Sequence, residues 1–418
     1  MNLVTNLAVT SNYSTGKQKK GRQLIGVNGN WYDVSSFIKH HPGGQIIERF
    51  IGKDASSVFH AFHKPSVLQS RKPVSAVQAD QDEMSQDFLL LGNFFEKSGY
   101  YEIDVQWYLM KISMTFAMLL ASFTCVICLQ DSQWKYAGAV ALAGFWQQSG
   151  FLMHDAEHNL ITKDRHVDSW LGTIFATVCF GVNGLWWRNE HFVHHALTAC
   201  VDYETDFFDP QMKEYIWTQN KKLWPFFFTR LQYYCIKIQH WTFIPVCIFI
   251  GRIGIMIDSM MDIKRSRELI AFSLHWMWVW LLLSWLPNYQ QRLAFYAVAA
   301  FLQGILHIQL LISHYSKSFH YLKELGSNVS WYQMQVESNI DIINPWWMDW
   351  FHGGLNFHLV HHLYPRMPRY KFRAATPYVK ELCMKYGLEY DSCGWLEAIY
   401  RTLCHLKLQS QHFSLDPR

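Results

Sequence analysis

Apolar and polar positions alternate along this chain on two length scales. Four windows, 112–129, 136–153, 269–286 and 293–314, each run for 18 residues or more without Asp, Glu, Lys or Arg. That is the length an α-helix needs to cross a hydrocarbon core. The windows form two pairs, joined internally by short, charge-poor loops at 130–135 and 287–292. Lys and Arg collect instead in the amino-terminal region and in the long segment between the pairs. Positive charge stays on the cytoplasmic side, so the pattern predicts four transmembrane helices with both termini and the central segment cytosolic. Two further windows are less regular: 169–187 is uncharged, and 241–257 is interrupted by Arg252. Both are expected to lie along or dip into the membrane interface.

Ahead of the first span the pattern shortens. Leu24-Ile25-Gly26-Val27 and Trp31-Tyr32-Asp33-Val34 flank Asn28-Gly29, a strong hairpin signal. Residues 1–20 are polar, carry Lys17, Lys19 and Lys20, and lack the apolar core of a signal peptide. The expected organisation is a disordered tail (1–20), a small α+β domain (21–75), a linker with an interfacial helix (76–108), a membrane domain (109–400) and a C-terminal tail (401–418). The fold class is a mostly α membrane protein with a cytosolic histidine-rich cap.

Composition narrows the function. A net charge of +4 over 418 residues is too small to argue for nucleic acid. Nine scattered cysteines without framework spacing suit a reducing compartment. Cys125 and Cys128 lie inside an apolar span and read as packing.

The chemistry lies in histidine. HDAEH carries His154 and His158, HFVHH carries His191, His194 and His195, and HLVHH carries His358, His361 and His362. Imidazoles at i, i+3 and i+4 share a helix face, so each cluster can aim several nitrogens at one point. Three such clusters imply a polynuclear metal site at one membrane surface. A shared site also forbids 169–187 from crossing the bilayer, because it separates the first cluster from the second.

His41-Pro42-Gly43-Gly44 resembles the haem signature of cytochrome b5. The stretch 52–59, GKDASSVF, resembles that family's second signature, which places the other axial histidine at His63. His40 and His60 are out of register. Bis-histidine ligation leaves no open site on the iron, so the implied haem b carries electrons. Imidazole suits Zn, Cu, Fe and Ni alike. An adjacent electron carrier favours iron over zinc, which has no redox chemistry.

With WWRNEHFVHH at 186–195 and NPWWMDWFHGGLNFHLVHHLYPRMPR at 344–369, the chain resembles cytochrome b5-fused front-end membrane fatty acyl desaturases from about 22 to 400. The resemblance implies two non-haem iron ions held by the eight box histidines and by His314. It implies O2-dependent introduction of a double bond into a lipid or acyl-CoA chain. NADH-cytochrome b5 reductase would be the electron donor, and the endoplasmic reticulum the membrane. His307 and His275 read as packing residues, and His352 as a neighbour of the ligands or substrate. Asp155, Asp202 and Asp206 are candidates to accept the second N–H of metal-bound imidazoles. Trp186-Trp187 and Trp346-Trp347 are either membrane anchors or the mouth of an acyl tunnel. Two positions depart from the family pattern: His358 stands where front-end members usually have Gln, and Glu157 where a small residue or His is commoner. Alternatives on the same motifs are a sphingolipid long-chain-base desaturase, a lipid hydroxylase and a regulatory membrane haemoprotein, the last expected to have lost metal ligands.

Overall fold

The structure, a computed structural model, describes residues 22–76, 82–129, 132–212, 214, 216–226 and 229–413. The expected tail at 1–20 lies outside the described residues. In the first domain the hairpin forms as its sequence predicts. Leu24–Val27 (β1) pairs antiparallel with Asn30–Asp33 (β2), and Asn28 (φ 53°) and Gly29 (φ 72°) both adopt the left-handed turn conformation. Ser75–Ala76 (β3) adds to β2 and completes a three-stranded sheet. Val34, Ile38 and Ile47 form the small core behind it.

Long helices occupy all four apolar windows: Val105–Ile127, Ser132–Glu157, Ser266–Ser284 and Tyr289–Leu311. Among the described residues, only the first and last are long and apolar enough to cross a membrane, and the number rises to four if each of two bent helix pairs is one span. The helix Ser132–Glu157 is more polar in its second half, and those polar groups are used. Gln147 donates to Gln309 Oε1 (3.3 Å) and to the Phe351 carbonyl (3.1 Å), and Gln148 donates to the Trp350 carbonyl (3.1 Å). This helix is thereby tied to the loop that leads into the third histidine box.

The two irregular windows turn back on themselves. The segment Arg165–Phe180 meets Gly184–Ala196 at 111°, and Gln239–Phe249 meets Gly251–Met261 at 71°. The first bend is made at Gly181 (φ 87°), after a π-helical stretch, Thr173–Phe180. Carbonyls freed at such a bend need donors. Arg252, from the second pair, donates to the Phe180 carbonyl (2.9 Å), and its guanidinium sits 3.7 Å from the centre of the Trp146 ring. His275 and Trp278 both reach the Val178 carbonyl (3.0 and 2.7 Å), which gives His275 a structural place. A buried guanidinium is tolerated where it is bonded and stacked.

The helix Glu83–Lys97 departs from expectation. Its amphipathic pattern predicted a membrane-surface helix. Phe88 and Phe95 are instead fully buried against the cap. Phe88 stacks on Tyr332 at 4.7 Å, Tyr364 donates to the Phe88 carbonyl (3.0 Å), and Asp87 pairs with Lys385 and Tyr386. Apolar periodicity identified the buried face but not the surface it meets, because cap and membrane are equally apolar partners.

Gly353 (φ 60°) and Gly354 (φ 94°) make the turn into the third box. A Cβ at Gly353 would lie 2.3 Å from the Phe151 ring, whereas one at Gly254 meets nothing within 4 Å. Replacing Gly353 by Ala should therefore cost about 1–3 kcal/mol in backbone strain, plus the clash, and lower the thermal unfolding midpoint in detergent. Gly254→Ala should not lower it.

Candidate metal centre

Each histidine cluster sits on a helix or directly after one. His154 lies in the last turn of Ser132–Glu157, and His158 directly follows that helix. His191, His194 and His195 lie on Gly184–Ala196, whose N-cap Asn183 accepts from the amides of Leu185 (3.1 Å) and Trp186 (3.3 Å). His358, His361 and His362 lie on the six-residue helix His358–Leu363, where Asp341 accepts from the Leu359 amide (2.9 Å) and from the Tyr390 hydroxyl. His314 follows the helix Tyr289–Leu311.

These nine residues resolve into two groups, and the division cuts across the boxes. His154, His158, His191, His195 and His361 form one; His194, His314, His358 and His362 form the other. Within each group the ligand atoms all lie within 4.8 Å of one another. Ring nitrogens approach closely: Nε2 of His154 and His361 at 2.9 Å, of His191 and His195 at 3.0 Å, of His314 and His358 at 2.8 Å, and of His358 and His362 at 3.2 Å.

For four of the rings, His191, His194, His314 and His362, a partner on the opposite nitrogen holds the binding edge inward. His194 Nδ1 lies 2.7 Å from Asp209 Oδ2, and His314 Nδ1 lies 2.8 Å from the Ser338 carbonyl. A carboxylate and a carbonyl can only accept, so both rings carry the proton on Nδ1 and present the Nε2 electron pair to the centre. His191 Nδ1 meets Gln211 Oε1 (2.9 Å), and His362 Nδ1 meets Gln335 Oε1 (3.0 Å) and Thr198 Oγ1 (3.1 Å). Imidazole nitrogens converging on one point, with rings such as His194 and His314 turned so that Nε2 is unprotonated, are the donor set of a cation site. All nine donors are imidazole, a ligand set that fits iron.

The surrounding residues were only partly foreseen. Asp155 is fully buried, 3.7 Å from His154 Nδ1 and 3.1 Å from Arg369 Nε. Asp202 accepts from Glu204 and Thr205 within its own turn, and Asp206 occupies the same turn at φ 50°. The carboxylate against the cluster is Asp209, which the strand pairing of residues 200–202 with 207–208 returns to the box. Sequence proximity to the box favoured the nearer aspartates, and only the pairing register selects the third. Gln211, Gln335, Ser338, Asp341 and Arg369 carry no such signal in the sequence. His352 stands outside both groups, and its Nδ1 accepts from the Gln309 side-chain amide (3.1 Å). His307 lines a narrow cavity of about 40 Å³ that touches His154 and His361. Trp187 lines it too and stacks on His191 at 4.1 Å, whereas Trp346 and Trp347 are exposed, as interfacial anchors are. Glu157 is buried 3.6 Å from Arg188 Nε; Gly172 and Gly184 make room for its carboxylate, which a Cβ at Gly172 would approach to 2.2 Å.

In the first domain His41 and His63 face each other with ring centres 6.0 Å apart. His41 Nδ1 bonds to the Gly44 carbonyl (3.1 Å), leaving Nε2 free to bind. The neighbour His60 is engaged with Asn28 Oδ1 (2.8 Å), and His40 is exposed. Burial pushes the His63 imidazole down to about 4, with His41, Arg165 and Arg366 adding to the effect. A neutral imidazole is the ligating form. The two rings border a cavity of about 1030 Å³, lined by Phe37, Ile46, Val58 and Phe59 and continuous with the surface beside His158. That size and apolar lining suit a flat macrocycle. Phe62, next to His63 in sequence, packs on Phe192 (5.9 Å) and on the metal-group residue His195 (6.2 Å).

Comparison with known proteins agrees with this geometry. A fatty acid desaturase family model matches residues 132–394, and a cytochrome b5-like heme/steroid binding domain matches 11–94. The chain is 30% identical to an acyl-lipid (9-3)-desaturase of Borago officinalis, over 96% of this chain and 94% of the relative. It is 30% identical to a Delta(8)-fatty-acid desaturase of Arabidopsis thaliana (96% and 92%) and 27% identical to a Delta 8-(E)-sphingolipid desaturase of Komagataella phaffii (82% and 66%).

Two predictions follow from the supports. Asp209→Ala should lower iron affinity by about 10–100-fold, read as metal content after dialysis, with the haem spectrum unchanged. Burial raises the Asp341 carboxyl to about 6, above its ordinary 3.8. A raised acid pKa favours the folded state only while the group is protonated. The wild type should therefore lose stability relative to Asp341→Asn as pH rises from about 4 through about 6, measured by thermal unfolding across that range.

Proposed function

The chain belongs to the fatty acid desaturase family, and from that premise we propose that its nine clustered histidines hold two iron ions with which it places a double bond in a long apolar chain of a membrane lipid. It is an oxidoreductase with a fused cytochrome b5-like domain, and that domain implies haem. The observation that supports the iron pair best is the sorting of imidazoles from three distant boxes, with His314, into two buried groups. Iron in those groups supplies O2 activation and removal of hydrogen from adjacent methylenes. Overall, two hydrogens leave the chain, the donor provides two electrons and two protons, and O2 leaves as two waters.

The protein's own residues hold this chemistry in place. Asp209, Ser338, Gln211 and Gln335 fix ring orientation, and Trp187, Phe151 and Leu355 wall the cavity beside His154 and His361. The cavity is too narrow for an acyl chain as it stands, so substrate entry requires its side chains to part. Phe62, between the haem ligand and His195, is suited to keep the two redox centres close. We assign NADH-cytochrome b5 reductase as the electron donor, the endoplasmic reticulum as the membrane, and the cytosolic face for the boxes.

The favoured substrate is a lipid-linked or CoA-linked acyl chain. The second reading, the long-chain base of a sphingolipid, is favoured by the Komagataella relative, whose name specifies a sphingolipid. Expression in a yeast that lacks polyunsaturated lipids, fed candidate acids, tests both through mass spectrometry of extracted lipids. Loss of two hydrogens from an acyl chain is expected, and gain of one oxygen would instead mark a hydroxylase. His361→Ala should abolish the product and leave the haem absorbance intact; an undiminished product would remove the metal-site assignment.

A further inference from the structure

The cavity that receives the haem has walls from both domains. His41 and His63 border it. Arg165, Arg188, Arg265 and Arg366 of the desaturase domain line it as well. Arg188 is already paired with Glu157 (3.6 Å), and Arg366 lies 3.2 Å from Glu96. Arg165 has no ion-pair partner among the described residues, and Arg366 keeps a buried Nε without a hydrogen bond. Both are close enough to His63 to act on it electrostatically. Arg165 is exposed and Arg366 half-buried, so both guanidinium groups are free to meet an anion that enters the cavity. Haem b carries two carboxylates on one edge, and guanidinium is the side chain best matched to carboxylate geometry.

We propose that the haem is a shared ligand of the two domains: His41 and His63 hold its iron, while Arg165 and Arg366 of the desaturase domain receive its carboxylates. This rests on the haem assignment above. It gives the fused domain a defined docking orientation. Direct contacts agree with that orientation: Arg49 donates to Thr205 (2.6 Å), Lys53 donates to the Leu322 carbonyl (3.1 Å), and Phe62 packs on His195. Haem loss and domain separation should then be coupled.

Ferric haem carries one more positive charge than ferrous, so a nearby guanidinium favours reduction. The test uses the purified full-length protein and the variants Arg165→Gln, Arg366→Gln, the double variant and Arg165→Lys. The readouts are the haem midpoint potential by spectroelectrochemistry and the rate of haem transfer to excess apomyoglobin. The Gln variants should keep a bis-histidine spectrum, shift to a more negative potential and release haem several-fold faster, with the double variant furthest displaced. Arg165→Lys should recover part of the potential, because the charge remains. A double variant with wild-type potential and wild-type transfer rate overturns the proposal. In that case the arginines serve another anion, such as a lipid phosphate, while the haem reading stands. Wild-type protein without a bis-histidine haem spectrum would overturn the haem reading itself, and the proposal with it.

Discussion

The structure depends on one constraint: nine imidazoles, eight of them buried, must turn their binding edges inward. A buried ring is held in that direction where its other nitrogen has a partner. The cap supplies such a partner to four of them. Asp209 is returned to His194 by a strand pairing, Ser338 offers its carbonyl at the end of Trp331–Glu337, and Gln335 serves His362 from the same helix. Asp341 in turn anchors the helix that carries the third box. The cap thus aligns rings from four separate elements on two shared centres.

The long helices serve the same end. Ser132–Glu157 carries the first box at its tip, and its glutamines fasten it to the loop before the third. The two bent pairs are joined at their turns by Arg252. A straight crossing through 169–187 would have separated the first box from the second; the 111° bend keeps both on one side of the fold. The cytochrome b5-like domain packs on the same face, with Phe62 against Phe192 and His195.

Much of this was legible in the residues themselves. Box spacing fixed which histidines share a helix face, and the haem signatures separated His41 and His63 from His40 and His60. The Asn28-Gly29 turn formed at its stated position. What sequence could not show was how elements meet. The helix Glu83–Lys97 shows an apolar stripe whichever surface it covers, so its burial on Tyr332 and Tyr364 was invisible. Asp209 is further along the chain from its box than Asp202, yet nearer in space, because antiparallel pairing reverses the chain between them. The sorting of box two, with His194 in one group and His191 and His195 in the other, depends on helix rotation that spacing leaves open.

The account is tested most directly by the metal content of the purified full-length protein. It requires two non-haem irons per chain in addition to the one in the porphyrin, and loss of that pair without loss of haem when His194 and His361 are both replaced by Ala. Iron present only in stoichiometry with the porphyrin, in protein reconstituted with ferrous iron under anaerobic conditions, would contradict it.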